Sequence, residues 1–157
     1  MHMNRQDVVT IYTDGASRGN PGPGGYGTIM IYKNHRKELS EGFRKTTNNR
    51  MELLAVIEGL SCLKKEGLNV VIYSDSKYVV DSIEKKWVFN WYKKRFKDKK
   101  NADLWMRFLP LYAKHNVRMI WIKGHADNLE NENCDRLAVE AALGGDLKVD
   151  EGYEKGN

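Results

Sequence analysis

Val8-Val9-Thr10-Ile11-Tyr12-Thr13-Asp14-Gly15 is a β-branched and aromatic run that stops at Asp-Gly. Such a run reads as a strand that delivers a carboxylate to one end of a sheet. Alone, Asp14 has an ordinary reading as a turn residue. Val70-Val71-Ile72-Tyr73-Ser74-Asp75-Ser76 repeats the pattern, and between the two Asn48-Asn49-Arg50-Met51-Glu52 opens a long helical pattern with a Glu in its first turn. Three carboxylates at element ends, far apart in the chain, are what a hard divalent cation requires.

Around that frame the order of elements follows from pattern. Ala16 to Gly27 reads as a turn-forming stretch. Its Gly22-x-Gly24-x-x-Gly27 spacing matches a dinucleotide fingerprint, which needs a helix to follow, whereas Thr28 to Tyr32 is strand-like, so that reading is rejected. With a turn at Asn34-His35-Arg36 and a strand over 37–45, the first three strands form an antiparallel meander. Leu53, Val56, Ile57, Leu60 and Leu63 recur at helical spacing and predict a helix ending near Gly67. A strand over 69–74 after that crossover pairs parallel with the first, which brings Asp14 and Asp75 together at the carboxyl ends. Then come a short helix over 78–83, a helix from Leu104 interrupted or capped near Pro110, a strand over 117–122 and a last helix over 131–143. The acidic tail after about residue 146 is expected to fray.

Composition narrows the class. At 157 residues, 41% hydrophobic and 30% charged, the chain fits one globular domain. No apolar run approaches the roughly 20 residues that span a bilayer, and Met1 to Asp7 lacks the apolar core of a secretion signal. Cys62 and Cys134 have no metal spacing and read as reduced packing residues, so a cytoplasmic setting is expected. The net charge is +5, but residues 85–100 hold eight cations against one acid, a net +7, and the other 141 residues sum to −2. So concentrated a patch points to a polyanion. Five aromatics, Trp87, Phe89, Trp91, Tyr92 and Phe96, interleave with these cations; Trp87 is expected to bury as large aromatics usually do.

Each chemical candidate also has a bland reading. Glu52, three residues after Asn49, fits a capping box; Asp75 can cap the helix that follows it; Asp135 can be a solvated helix residue; His125 can be an idle loop histidine. The shared sheet end makes these jointly weaker than singly.

Several blocks together closely resemble type 1 ribonuclease H: Thr13-Asp14-Gly15 with Gly19 to Gly27, Thr46 to Leu53, Ser74-Asp75-Ser76, Trp87 to Lys94, Asp103-Leu104-Trp105, and Trp121 to Ala126 with Glu130-Asn131-Glu132-x-Cys134-Asp135. The resemblance implies an α/β ribonuclease H-like fold, a single catalytic domain over 1–157 with a five-stranded mixed sheet in the order 3-2-1-4-5 flanked by helices. It implies hydrolysis of the RNA strand of an RNA/DNA hybrid by a monomer, leaving 5′-phosphate and 3′-hydroxyl ends. By position Asp14, Glu52, Asp75 and Asp135 match the four metal-binding carboxylates, and His125 the mobile histidine. Asn20, Asn48 and Asn49 match contacts to the RNA minor groove and its 2′-hydroxyls; Lys77, where a Gln beside the active site is common, is expected among the RNA-binding residues and to alter those contacts. Thr47 and Asn101, with Lys45, match a pocket for a DNA phosphate. Trp87 and Trp91 match the DNA-strand channel, and Lys93 and Lys94 lie in a basic protrusion shorter than in some bacterial members. Asp127-Asn128-Leu129 replaces a frequent Gly-His-Pro.

The chemistry agrees with this resemblance. Two Mg²⁺ ions, with Mn²⁺ able to substitute, would supply an activated water and stabilisation of the departing oxygen. Asp14 is the candidate for the ligand common to both, Glu52 and Asp75 would hold the leaving-group ion, Asp135 the water-activating one, and His125 would shuttle protons or help product leave. Two other classes fit parts of the sequence. One is a non-catalytic hybrid or double-stranded RNA binder. The other is a different nuclease of the same superfold, such as a junction resolvase or transposase core.

Overall fold

The computed structural model describes residues 7–124 and 128–156. Along the chain run β1 (Val8–Ser17), β2 (Gly22–Tyr32), β3 (His35–Thr46), α1 (Asn48–Ser61), β4 (Asn69–Ser74), α2 (Lys77–Glu84), α3 (Trp87–Lys93), α4 (Ala102–Ala113), β5 (Asn116–Trp121), α5 (Leu129–Leu143) and α6 (Glu151–Glu154). The sheet order is β3-β2-β1-β4-β5, as expected, with an antiparallel meander followed by two parallel strands. β1 lies at the centre because its Ile11 and Val9 are apolar enough to be buried under helices, with Ile11 fully covered.

The Gly-rich stretch expected to turn is the first half of β2. Its glycines are there for packing. A Cβ on Gly25 would lie 2.5 Å from the Ala138 carbonyl oxygen, and one on Gly27 would strike the Cys134 carbonyl, so α5 can lie directly on the sheet. α1 covers the opposite face, where Thr28 Oγ1 donates to the Ala55 carbonyl at 2.7 Å. The turn between β2 and β3 is Lys33-Asn34, one step earlier than the pattern suggested, with Lys33 at φ 53°.

α1 stops at Ser61 rather than near Gly67, so Leu63 packs on the core from beyond the helix. α4 continues through Pro110 to Ala113. The amide that proline lacks would have bonded Met106, and both residues are exposed, so water can serve that carbonyl. Trp87, expected to bury, is 43% exposed; Val88 is the fully buried anchor of α3.

The tail beyond residue 146, expected to fray, is packed. Lys148 N donates to the Gly42 carbonyl and Arg44 N to the Lys148 carbonyl, both at 2.9 Å, extending the sheet edge. Asp150 then reaches Arg50, which is 1% exposed: Nε donates to Asp150 Oδ2 at 2.7 Å, and Nη1 and Nη2 donate to the Asp103 carboxylate at 2.8 and 2.7 Å. A guanidinium buried this deeply needs both carboxylates, and only the tail supplies the second. Among the described residues no helix is long and apolar enough to cross a membrane, and Cys62 and Cys134 are free thiols.

Candidate active site

β1 and β4 run parallel in register from Val8↔Asn69 to Tyr12↔Tyr73, so Asp14 and Asp75, each two residues further on, come to the same end of the pairing. β1 does not stop at Asp14-Gly15 as its sequence suggested but continues to Ser17 against β2, while Asp75 follows directly on β4. Thr13 Oγ1 ties those ends together by donating to the Tyr73 carbonyl at 3.1 Å. α1 joins them because Gly15 has no side chain: a Cβ there would fall 2.5 Å from the Met51 carbonyl carbon. That contact sets the first two turns of α1, and Glu52 with them, against the end of β1.

The result is that ligand oxygens of Asp14, Glu52 and Asp75 all lie within 4.8 Å of one another. Asp14 is 4% exposed. Burial first, then the charge of Asp75, pushes its carboxyl up to about 8, against the Gly15 N–H that donates to Asp14 Oδ1 at 2.8 Å. Burial and the charges of Asp14 and Asp75 likewise raise Glu52 well above the usual carboxylate range. Glu52 Oε1 and Asp75 Oδ1 are buried and have no hydrogen-bond partner. Acceptors left buried and unpaired are rare, and a group of them pointed at one another asks for a cation.

The ordinary readings of these residues fail on geometry. Thr47, not Asn49, caps α1, its Oγ1 accepting from Arg50 N at 3.2 Å, so Glu52 sits beyond the first turn and outside a capping box. Ser76, not Asp75, caps α2 by accepting from Val79 N at 3.2 Å. Asp135 is half-buried on α5 and lies outside the tight trio, yet its charge is felt at Asp14. Gly124 comes close over Asp75, where a Cβ would lie 2.9 Å from Oδ2. His125 lies outside the described residues.

The expected nucleic-acid contacts fall into three places. Asn20 Oδ1 accepts from Asn48 N at 3.2 Å, which brings the β1–β2 loop onto the start of α1. Beside it a cavity of about 420 Å³ is lined by Asn20, Thr47, Asn49, Lys100, Asn101 and Tyr153 among others. Asn101 is held from beneath: Nδ2 donates to the Tyr78 hydroxyl at 3.1 Å. Lys45, expected in this pocket, is exposed on β3 and does not line it; Lys100 and Tyr153 do. Tyr153 escaped the sequence reading because its segment was expected to fray. A second cavity, of about 560 Å³, is lined by Trp87, Asn90, Trp91, Lys94, Lys97, Asp98 and Lys99. Lys93 instead borders an apolar recess with Phe89, Tyr92 and Met106. Lys77 opens α2 beside Asp75 and is exposed.

Comparison with known proteins gives this geometry a family. A family model described as RNase H matches residues 6–143. A "Ribonuclease H" from Desulforamulus reducens is 58% identical over 147 residues, 90% of this chain and 92% of that protein. Another from Syntrophus aciditrophicus is 53% identical over 153 residues, 94% and 88% of the two chains. Among solved structures, LC9-RNase H1, described as a type 1 RNase H with the type 2 active-site motif, superposes with a TM-score of 0.80 at 33% identity, over 98% of this chain and 82% of that one. LC11-RNase H1 in complex with an RNA/DNA hybrid superposes at 0.66 and 25% identity, over 86% and 96%. Relatives about half identical across almost the whole length leave one placement: the chain belongs to the ribonuclease H family.

Proposed function

We propose that this protein is an endoribonuclease that hydrolyses the RNA strand of RNA/DNA hybrids, leaving 5′-phosphate and 3′-hydroxyl ends. The observation that carries the reading is the meeting of Asp14, Glu52 and Asp75, with two of their oxygens buried and unpaired. Their donor set is all oxygen and three-fold acidic, which fits a hard divalent ion such as Mg²⁺, with Mn²⁺ as substitute. Asp14, Glu52 and Asp75 would hold it, and Asp135 would complete a site for a second ion. Bound there, the metal supplies an activated water and neutralises charge on the scissile phosphate and the leaving oxygen.

The chain's own residues do the rest. Asp14, 4% exposed and with a ligand oxygen within 4.8 Å of those of both Glu52 and Asp75, would be the ligand common to the ions. Asn20, Asn48 and Asn49 present amides, able both to donate and to accept, to the 2′-hydroxyl that separates RNA from DNA. The Thr47–Asn101 cavity takes a phosphate of the DNA strand, and the Trp87–Trp91 groove seats that strand further along. Outside the described residues, His125 is assigned proton handling at the leaving or attacking oxygen. The protein acts as a monomer in the cytoplasm.

Incubating the protein with end-labelled RNA/DNA, RNA/RNA and DNA/DNA duplexes, with Mg²⁺ or with chelator, tests this directly. Cleavage confined to the RNA strand of the hybrid, and lost on chelation, is expected. Binding without cleavage would make it a hybrid-binding module, and cleavage of DNA/DNA a different nuclease of the same fold.

A further inference from the structure

Beside the carboxylates stands an exposed aromatic residue that the reading above leaves without a task. Trp121 is the last residue of β5 and pairs with Ser74 at the end of β4, so it sits at the same sheet edge as Asp14 and Asp75. It is 42% exposed, unusual for the largest apolar side chain at a strand end. Its orientation is set from behind, since Nε1 donates to the backbone carbonyl of Asp75 at 3.1 Å. Its face is used from the front: the Lys77 ammonium lies 4.7 Å from the ring centroid. Lys77 has no salt-bridge partner among the described residues, although Asp14, Glu52 and Asp75 gather at this end of the sheet.

These three facts belong together. A lysine ammonium on a four-carbon stem is a mobile charge, and an aromatic face within about 6 Å restricts it without neutralising it. The indole cannot slide, because its N–H is committed to the strand that carries Asp75. The cation is therefore held over an indole that is itself tied to the backbone of Asp75, while its charge stays available. An unneutralised cation at the edge of an acidic site suits the phosphate that precedes or follows the one being cut, on the strand that the carboxylates engage.

We infer that Trp121 is a positioning residue of the reaction: it holds the Lys77 ammonium beside Asp75 to bind a backbone phosphate of the RNA strand adjacent to the scissile one. The inference rests on the hybrid-cleaving function proposed above and adds to it a residue and the group that residue serves. Lys77 is the contact; Trp121 acts through it.

Four variants test the coupling: Lys77→Gln, Trp121→Leu, Trp121→Phe and the double Lys77→Gln/Trp121→Leu, each assayed for hybrid cleavage in Mg²⁺ across a salt series. Lys77→Gln is expected to raise KM about fivefold, the scale of one exposed ionic contact, with kcat near wild type. The slope of log KM against log salt should flatten by about 0.9, one phosphate contact. Trp121→Leu removes the platform and should reproduce both changes, while Trp121→Phe keeps an aromatic face but loses the N–H that anchors it to the Asp75 carbonyl, so its KM should fall between wild type and Trp121→Leu. The double variant should be no worse than either single one. Additive effects, or a Trp121→Leu protein with unaltered KM and salt slope, would overturn the inference, as would a Trp121→Phe protein as impaired as Trp121→Leu. If the wild-type protein cuts no hybrid, the proposed function fails instead; hybrid affinity by fluorescence anisotropy in chelator then applies the same comparison of the four variants to the inference.

Discussion

Asp75 shows how a single carboxylate can be essential and yet costly to the protein that carries it. One of its oxygens is buried without a partner, two other carboxylates lie beside it, and Gly124 crowds it from above. Asp75→Asn removes a charge from a like-charged cluster, so the fold should survive or gain stability. Hydrolysis should fall by more than about 100-fold, beyond the 10- to 100-fold typical of groups that only support a ligand. Residual activity above a tenth of wild type, measured on the hybrid in Mg²⁺, would remove Asp75 from the ligand set. Asp14 yields a stability test of the same cluster. Its carboxyl rises on folding from 3.8 to about 8, so the native protein holds that proton where the unfolded chain releases it. For an acid raised in this way, stability is fully present below the lower value and is lost as pH climbs toward the upper one. With metal chelated, the wild-type Tm should therefore decline from pH 5 to pH 8 relative to that of Asp14→Asn. Parallel Tm profiles for the two proteins would contradict the burial assigned to Asp14.

Elements, rather than residues, explain the tail. α6 and the strand-like pairing of Lys148 with β3 exist because Arg50 is buried at the start of α1 and must be matched. Asp150 Oδ2 accepts from both Arg50 Nε and Thr46 Oγ1, at 2.7 Å each. Asp150→Ala leaves the guanidinium with Asp103 as its one remaining carboxylate beside a 3.4 Å hydrogen bond to Asn101 Oδ1, and the Thr46 hydroxyl without its acceptor, and should cost about 2 kcal/mol, the range of a hydrogen bond to a charged group. Because the same helix turn carries Thr47, Asn48 and Asn49, and Tyr153 lines their cavity, KM for hybrid should rise as well. Urea denaturation together with steady-state kinetics checks both; an unchanged unfolding midpoint would mean the tail adds nothing to α1. Asp103 lends the latch a pH limit. Burial raises its carboxyl, but the hydrogen bonds and charge of Arg50 outweigh it and leave it lowered. That stability is present above the ordinary aspartate range and is lost as pH falls through the lowered value.

Across the whole molecule, charge is divided between two regions. The carboxylates gather at the sheet edge and the cations on α3 and the turns after it, where Lys94, Lys97 and Lys99 line one groove with Trp87 and Trp91. Lys99 Nζ lies 5.1 Å from the Trp91 ring centroid. Each phosphate contact contributes about 0.9 to the salt slope on B-form DNA. Changing Lys94, Lys97 and Lys99 to Ala should weaken hybrid binding and flatten log K against log salt by roughly two units if two of the three touch phosphate. Lys93→Ala, on the other side of α3, should change the slope little. kcat at saturating substrate should hold in both, since the metal ligands lie elsewhere. An unchanged slope in the triple variant would reduce this stretch to a solvated helix face.

Local pattern was enough for the five strands, for α1, α2, α4 and α5, and for bringing Asp14, Glu52 and Asp75 to one end of the sheet, but it missed α3 and α6. A β-branched run ending in Asp, repeated after one amphipathic crossover helix, can place both aspartates only at the same sheet edge, because parallel strands share their direction. What pattern misjudged were segments whose form depends on a distant neighbour. Gly22 to Gly27 has the composition of a turn, yet it is strand, because α5 takes up the space its missing side chains leave. Residues 147–154 have the composition of a frayed end, yet they are fixed by a buried arginine 100 residues earlier. Trp121 was read as part of a strand and of a family-like block, without a role of its own; its use depends on Asp75 and Lys77, which only the paired β4 and β5 bring to it. Periodicity and capping act within a few residues, whereas close approach, ion pairing and charge clustering act through space, and only the folded chain decides them.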